Sequence, residues 1–203
     1  DIPFPAWDLF PIDAYAAYKP SGAMGTVRTM PILTCRGCMY SCSFCYRMEA
    51  GYRARSYESI IEEIKMLVKE YNISFVRLRD ELLMSTEKRI TGFCEALLDA
   101  DIKIQFDCNG RLNTAKAHVL QLMKKAGCVY INYGIESLDQ KVLDLMNKYQ
   151  TVEEIYNGIE ATVSAGINPG FNFLWNNIAD NEETLIKAIE FLKKYNTYSE
   201  IRT

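Results

Sequence analysis

No apolar run in this 203-residue sequence approaches the ~20 residues that a membrane-spanning helix needs, which excludes that architecture. Positive charge is not in excess either. Lys and Arg number 23 against 26 Asp and Glu, a net charge of −3, so no general nucleic-acid surface is expected and only a local basic groove stays compatible. There is no collagen-like period and no low-complexity tract, and with 49% hydrophobic and 24% charged residues the chain is not of the disordered class. It opens at Asp1 without an initiator methionine or a stretch that reads as a signal peptide. Histidine is nearly missing: His118 is alone, in mid-helix and away from strand ends, where a surface or packing role is expected.

What the chain does have is cysteine, concentrated in one place. Four of its seven cysteines, Cys35, Cys38, Cys42 and Cys45, fall within eleven residues. A secreted disulfide scaffold would be small and would spread its cysteines along the chain; a tight thiol cluster in an otherwise ordinary chain reads as metal binding in a reducing, cytoplasmic compartment. Cys94, Cys108 and Cys128 stand singly among apolar residues and are expected to be buried small hydrophobes.

The order of elements is regular. After an irregular, proline-broken and aromatic-rich start come strand candidates at Val27–Thr34, Ser74–Leu78, Ile102–Cys108, Val129–Tyr133, Asn168–Leu174 and Ser199–Thr203. Helices lie between them. One is capped by Ser56, one runs from about Thr86 to Ala100, one begins at Thr114 and stops at Gly127, and one covers about Asp139 to Asn147. Another opens with a Thr151/Glu154 capping box, and the last starts at Asp180 or Asn181. Repeated β–α units imply parallel strands with right-handed crossovers, in an open doubly wound sheet or a partial barrel; periodicity does not choose between them. In either case functional residues should gather where strands end and loops begin.

The first of those strand-end loops carries the cysteines. Its core is C-x3-C-x2-C, at Cys38, Cys42 and Cys45. Three thiolates can hold three irons of a [4Fe–4S] cluster and leave the fourth iron open, much as a catalytic metal keeps an open position. Structural zinc, or a four-cysteine cluster that also uses Cys35, is the alternative that the loop alone leaves open.

With Phe44 just before the last cysteine and the loop placed after the first strand of a β–α series, the chain resembles radical S-adenosylmethionine (SAM) enzymes, most closely those that carry a cobalamin-binding domain upstream. Further stretches share in the resemblance: Pro3 to Leu9, Arg36-Gly-Cys38, Tyr52 to Arg55, Cys108 to Arg111, Gly134 to Ser137, and the run from Val142 to Asn147. It implies a partial (β/α)6 TIM-like barrel of α/β class over residues 30–203, ending inside its sixth strand, with residues 1–29 a linker or extension packed on it. It also implies reductive cleavage of SAM to a 5′-deoxyadenosyl radical, for hydrogen abstraction or cobalamin-assisted methyl transfer. The cofactors would be the [4Fe–4S] cluster, SAM and possible cobalamin held by an upstream domain, with an electron donor such as flavodoxin or ferredoxin and a small-molecule or peptide substrate.

Residue by residue, the resemblance makes Cys38, Cys42 and Cys45 the cluster ligands and sets Phe44 beside adenine. Asp80, with Glu81 as second choice, would accept from the methionine amino group. Arg111 would pair with the SAM carboxylate or else with Glu136. Glu136 and Ser137 would meet the ribose hydroxyls, and Gly134 would let the backbone approach the ligand. Cys35 departs from the pattern and is a spectator or a competing ligand. The run Leu174 to Asp180 departs too, and Trp175 is assigned to core or rim packing. Arg53 and Arg55 are expected to hold the loop by ion pairing.

Overall fold

The structure, a computed structural model, describes residues 3–20, 22–46, 51–198 and 201–202. The N-terminal segment is less irregular than its prolines suggest. A 3-10 turn at Trp7–Leu9 is followed by α1 (Ile12–Ala16), which starts directly after Pro11, a residue whose fixed φ suits a helix entrance. Trp7, Ile12 and Ala16 are buried in the main core.

β1 (Thr29–Ile32) leads into a short antiparallel hairpin, β2 (Cys35–Gly37) with β3 (Tyr52–Ala54), which frames the cysteine loop and has no counterpart in the strand periodicity. Then follow α2 (Tyr57–Tyr71), β4 (Phe75–Leu78), α3 (Glu87–Asp99), β5 (Gln105–Gly110), α4 (Ala117–Lys125) and β6 (Cys128–Glu136). The chain continues with α5 (Gln140–Leu145), α6 (Val152–Ser164), β7 (Asn168–Phe173), α7 (Glu182–Lys194) and β8 (Ile201–Arg202). Six strands pair in parallel in the order β1-β4-β5-β6-β7-β8, the expected α/β arrangement of a partial (β/α)6 barrel. Of the strand expected at Ser199–Thr203, residues 199, 200 and 203 lie outside the described residues.

Local chemistry explains the boundaries. Ser56 and Thr86 accept from the amides of Ser59 and Arg89 and so start α2 and α3. Thr151 with Glu154, and Asn181 with Thr184, form reciprocal capping boxes. The strand expected from Ile102 begins only at Gln105 and runs on to Gly110. The reason is the end of α3: the amides of Asp101 and Ile102 turn back onto the carbonyls of Leu98 and Leu97, so these residues finish the helix instead of extending a strand. The helix expected at Thr114 likewise waits until Ala117, because Leu112–Thr114 is a 3-10 turn.

Strand alternation then divides the sheet into two faces. Val76, Leu78, Phe106, Cys108, Ile131, Tyr133, Ile135, Phe171 and Phe173 point outward into the layer of helices and form the main core with Ile60, Ile64, Phe93, Val119, Ile159 and Phe191. Cys94, Cys108 and Cys128 are buried in it, as small hydrophobes. At the N-terminal end of the strands a second cluster, Val27, Phe75, Val129 and Tyr130 with Ala23, closes the base, and the Met24 backbone exchanges two hydrogen bonds with the Gln105 side chain.

Gly127 shows how tight the helix-to-strand turns are. Its φ is +107°, and a Cβ there would lie 2.1 Å from the Ile104 carbonyl oxygen. Gly127→Ala is therefore expected to cost about 3 kcal/mol through left-handed strain and a backbone clash. Urea unfolding of the two proteins measures it, and an equal midpoint would refute the assignment.

Candidate functional site

The C-terminal ends of β1, β4, β5 and β6 bring the site together, and Asp80 ties the first two. It is buried, and its Oδ1 accepts from the amides of Thr34 (2.6 Å) and Cys35 (3.1 Å) while Oδ2 accepts from the Thr34 hydroxyl at 2.5 Å. Arg89 completes the knot, donating to the carbonyls of Thr34 and Arg55 at 3.0 Å each. Arg55 in turn pairs with the buried Glu63 at 2.5 Å, the ion pairing expected of it. Burial pushes the Asp80 carboxyl up from its ordinary range, and the donors from Thr34 and Cys35 act against that push.

The resemblance makes Asp80 an acceptor for the amino group of a bound ligand; in the structure its two oxygens accept from the start of the cysteine loop and so fasten that loop. Glu81, the second choice, is exposed, and its charge reaches the Cys45 thiol.

Cys35 is separated from the other loop thiols. It is buried in β2, its sulfur faces the Leu82 carbonyl, and desolvation followed by the Asp80 charge raises its thiol to about 11. Its burial and its contact with the Leu82 carbonyl set Cys35 apart from the three more exposed thiols of the loop. Cys38 and Cys42 are half-buried and Cys45 is exposed. Burial first, then the neighbouring charges of Cys42 and Cys38, raise the Cys45 thiol, while Lys148 lowers it; the three thiols thus share one field. The loop tip is held by the Ser43 amide donating to the Met146 carbonyl at 2.8 Å.

Three thiols at C-x3-C-x2-C spacing suit a cubane, which takes one thiolate at each of three corners. Two cations offset the negative charge that such a group carries: Lys148, and Arg111, whose Nη1 lies 3.7 Å from Cys42 Sγ. The donor set fits a [4Fe–4S] cluster.

Arg111 is buried and lies over the Tyr40 ring, 3.8 Å from its centroid. Its Nη2 donates to the carbonyls of Lys148 and Tyr149, and its buried Nε has no hydrogen-bond partner. The alternative ion pair of Arg111 with Glu136 does not form. Glu136 pairs with Lys148 at 2.7 Å, with both side chains buried, and Lys148 Nζ lies 5.7 Å from the centre of the Phe44 ring. Gly134 leaves room here: a Cβ would stand 2.2 Å from Glu136 Oε1 and 2.7 Å from Lys148 Nζ, so the ends of both side chains would have to shift. Glu136 itself has φ +64°, a strain that sites tend to hold for function. Ser137 Oγ accepts from the Asp139 amide at 3.1 Å and shapes the turn into α5.

The structure therefore gathers Phe44, Arg111, Gly134 and Glu136 around Lys148, a residue that sequence reasoning did not select. A faint signal was present. Lys148 lies between two amphipathic helices, on neither of their faces, and a buried lysine is rare unless paired. Trp175 stacks on Phe173 with ring centres 5.6 Å apart, a packing role at the rim, and His118 meets Glu87 on the surface at 2.6 Å.

Comparison with known proteins names the family. Residues 32–192 match the model of the radical SAM superfamily. The chain belongs to that superfamily. It is 27% identical to an uncharacterized methyltransferase of Pyrococcus horikoshii, over 96% of this chain and 41% of that protein. It is 30% identical to the anaerobic magnesium-protoporphyrin IX monomethyl ester cyclase of Rubrivivax gelatinosus, over 79% of this chain and 30% of that protein. The radical SAM chain thus spans less than half the length of either relative.

Its fold is similar to that of the cobalamin-dependent SAM radical enzyme OxsB with aqua-cobalamin and SAM bound (TM-score 0.74, 22% identity, 87% of this chain and 28% of that one). It is also similar to that of the radical SAM methyltransferase TsrM from Kitasatospora setae with tryptophan and a SAM analogue bound (TM-score 0.75, 16% identity, 89% and 38%). Among the described residues, no helix of this radical SAM chain is long and apolar enough to cross a membrane.

The environments of the seven thiols predict their reactivity. Brief iodoacetamide treatment of the folded, cluster-free chain near pH 8 is expected to label Cys38, Cys42 and Cys45 and to spare Cys35, Cys94, Cys108 and Cys128 until the chain unfolds. Peptide mass spectrometry reads the outcome, and early labelling of Cys35 would contradict its buried, protonated state.

Proposed function

We propose that this chain is the SAM-cleaving core of a larger radical enzyme. The observation that carries the reading is the placement of three thiols at C-x3-C-x2-C spacing beside two cations, Arg111 and Lys148, at the C-terminal mouth of a parallel barrel. When bound, the [4Fe–4S] cluster supplies the one electron that breaks the sulfonium C–S bond of SAM, giving methionine and a 5′-deoxyadenosyl radical.

The chain's own residues hold and orient. Cys38, Cys42 and Cys45 ligate three irons, and Asp80 fixes the loop that carries them. Lys148 and Arg111 attract the SAM carboxylate, the guanidinium through its unpaired Nε. Glu136 gives one oxygen to Lys148 and keeps the other to accept from the ribose hydroxyls. Glu81 accepts from the amino group, Phe44 lies against adenine, and Gly134 and Ser137 shape the floor of the site. The electron comes from a flavodoxin- or ferredoxin-type donor in the cytoplasm. The radical then abstracts hydrogen from the substrate or serves a methyl transfer assisted by cobalamin held outside this chain; the methyltransferase names of several relatives support the second branch.

Anaerobic reconstitution tests the reading. About four irons per chain, an EPR change on adding SAM, and 5′-deoxyadenosine after dithionite are expected. One zinc per chain with no effect of SAM would overturn it in favour of a structural or electron-carrying metal module. Lys148→Ala is expected to keep the iron content while weakening SAM binding about tenfold, the loss of one charge-assisted contact. Equilibrium binding of SAM to the reconstituted variant reads it, and unchanged affinity would remove Lys148 from the carboxylate site.

A further inference from the structure

Closed eight-stranded (β/α) barrels are filled by branched apolar side chains. In this six-stranded partial barrel the concave face of the sheet is polar. In register across β4, β5 and β6 stand Arg77, Asp107 and Tyr130, and one layer nearer the mouth stand Asn109 and Asn132, with Gly170 of β7 beside them. Arg79, just past β4, reaches into the same group: Asp107 Oδ2 accepts from Arg77 Nε at 3.2 Å and from Arg79 Nη2 at 2.8 Å. Asn132 Nδ2 donates to Asn109 Oδ1, and Asn109 Nδ2 to the Asp80 carbonyl, so the amides form a ladder up to the cysteine-loop clamp. Gly170 leaves room for this layer, since a Cβ there would meet the Tyr130 hydroxyl at 1.8 Å.

The charges in this group do not balance. Two guanidinium groups share one oxygen of one carboxylate. Asp107 is 2% exposed, whereas the side chains of Arg77 and Arg79 are 21% and 33% exposed. Each guanidinium spends a single N–H on Asp107, and among the described residues its other N–H groups make no further hydrogen bond while the side chain keeps some exposure. Tyr18, packed 4.7 Å from the Arg77 guanidinium, covers one of its faces. A purely structural pair would need one arginine, and an apolar filling would serve stability at least as well. Of the acids at the mouth, Asp80 faces Thr34 and Cys35, Glu136 pairs with Lys148, and Glu81 lies exposed with its charge on Cys45.

We propose that Arg77 and Arg79 form an oxyanion subsite, and that the substrate carries a carboxylate or phosphate group held there, with its remaining polar groups beside Asn109 and Asn132. The inference rests on the reading of the mouth as the SAM site: an anion anchored in the lumen leaves the rest of the substrate pointing up toward the cysteine loop.

Arginine Nε–H NMR resonances of the complete 203-residue chain, without iron or SAM, provide the test. They are titrated at constant ionic strength with inorganic phosphate, with succinate and with neutral dimethyl succinate. Saturable shifts of Arg77 and Arg79 with one or both anions, and none with the ester, are expected; the two anion arms tell phosphate from carboxylate. Arg79→Gln should weaken the binding at least tenfold, Arg79→Lys should retain part of it, and Arg28→Gln, on the surface, should change nothing. Thermal melts confirm that each variant is folded, and Arg77→Gln replaces Arg79→Gln if the latter is not. Shifts that are linear, equal for ester and anion, or indifferent to Arg79→Gln would overturn the proposal. Because the titration needs no cluster, a chain that cleaves SAM but binds no anion refutes this inference alone. A chain that binds anions but does not cleave SAM refutes the radical reading alone.

Discussion

The Asp80 carboxylate is the constraint on which the site depends. Three donors from Thr34 and Cys35 converge on it in a buried setting, where charge-assisted hydrogen bonds are strong and an unmatched donor is costly. Through those bonds the end of β4 fixes the exit of β1. Arg89 extends the same tie to Arg55 and the return of the hairpin, and Asn109 extends it to β5 through the Asp80 carbonyl. The cysteine loop therefore springs from a base whose two ends are tied to the barrel, and its tip is tied again where the Ser43 amide donates to the Met146 carbonyl.

Above and below that tie the structure handles charge in two ways. At the mouth every buried ion is matched or faces the thiols: Glu136 by Lys148, and Arg111 by Cys42 and the carbonyls of Lys148 and Tyr149. In the lumen two guanidinium groups lean on one acid and keep donors to spare. Matched charge holds a geometry, while surplus charge of one sign selects a partner of the other.

Much of this was legible in the residues. The alternation of strand and helix patterns gave six parallel strands, and the Thr151/Glu154 box and Ser56 cap placed helix starts correctly. The cysteine spacing led directly to the metal loop. What stayed hidden depends on contacts between distant positions. Nothing local in Asp80 says that it will face residues 34 and 35, and the β2–β3 pairing joins the two sides of a long loop that has no turn signature. Lys148 looks like any lysine until Gly134 and Glu136, more than ten residues earlier, are seen to make room for it. The start of β5 is hidden for a subtler reason: Ile102 and Ile104 have the alternation of a strand, yet the closing turn of α3 uses the backbone of Asp101 and Ile102.

The exposure of the loop tip has a consequence for how such a protein is assembled. None of Cys38, Cys42 and Cys45 belongs to the apolar core, and Cys45 and its neighbour Tyr46 lie on the outside. In small zinc domains the metal supplies the folding free energy, so losing it means unfolding. Here the barrel, its base and the Asp80 tie are held by apolar burial and by hydrogen bonds to which the three thiols contribute nothing. The part of the chain that would hold a metal and the part that supplies its apolar core are therefore separate, and a change at the thiol tip removes no contact from that core.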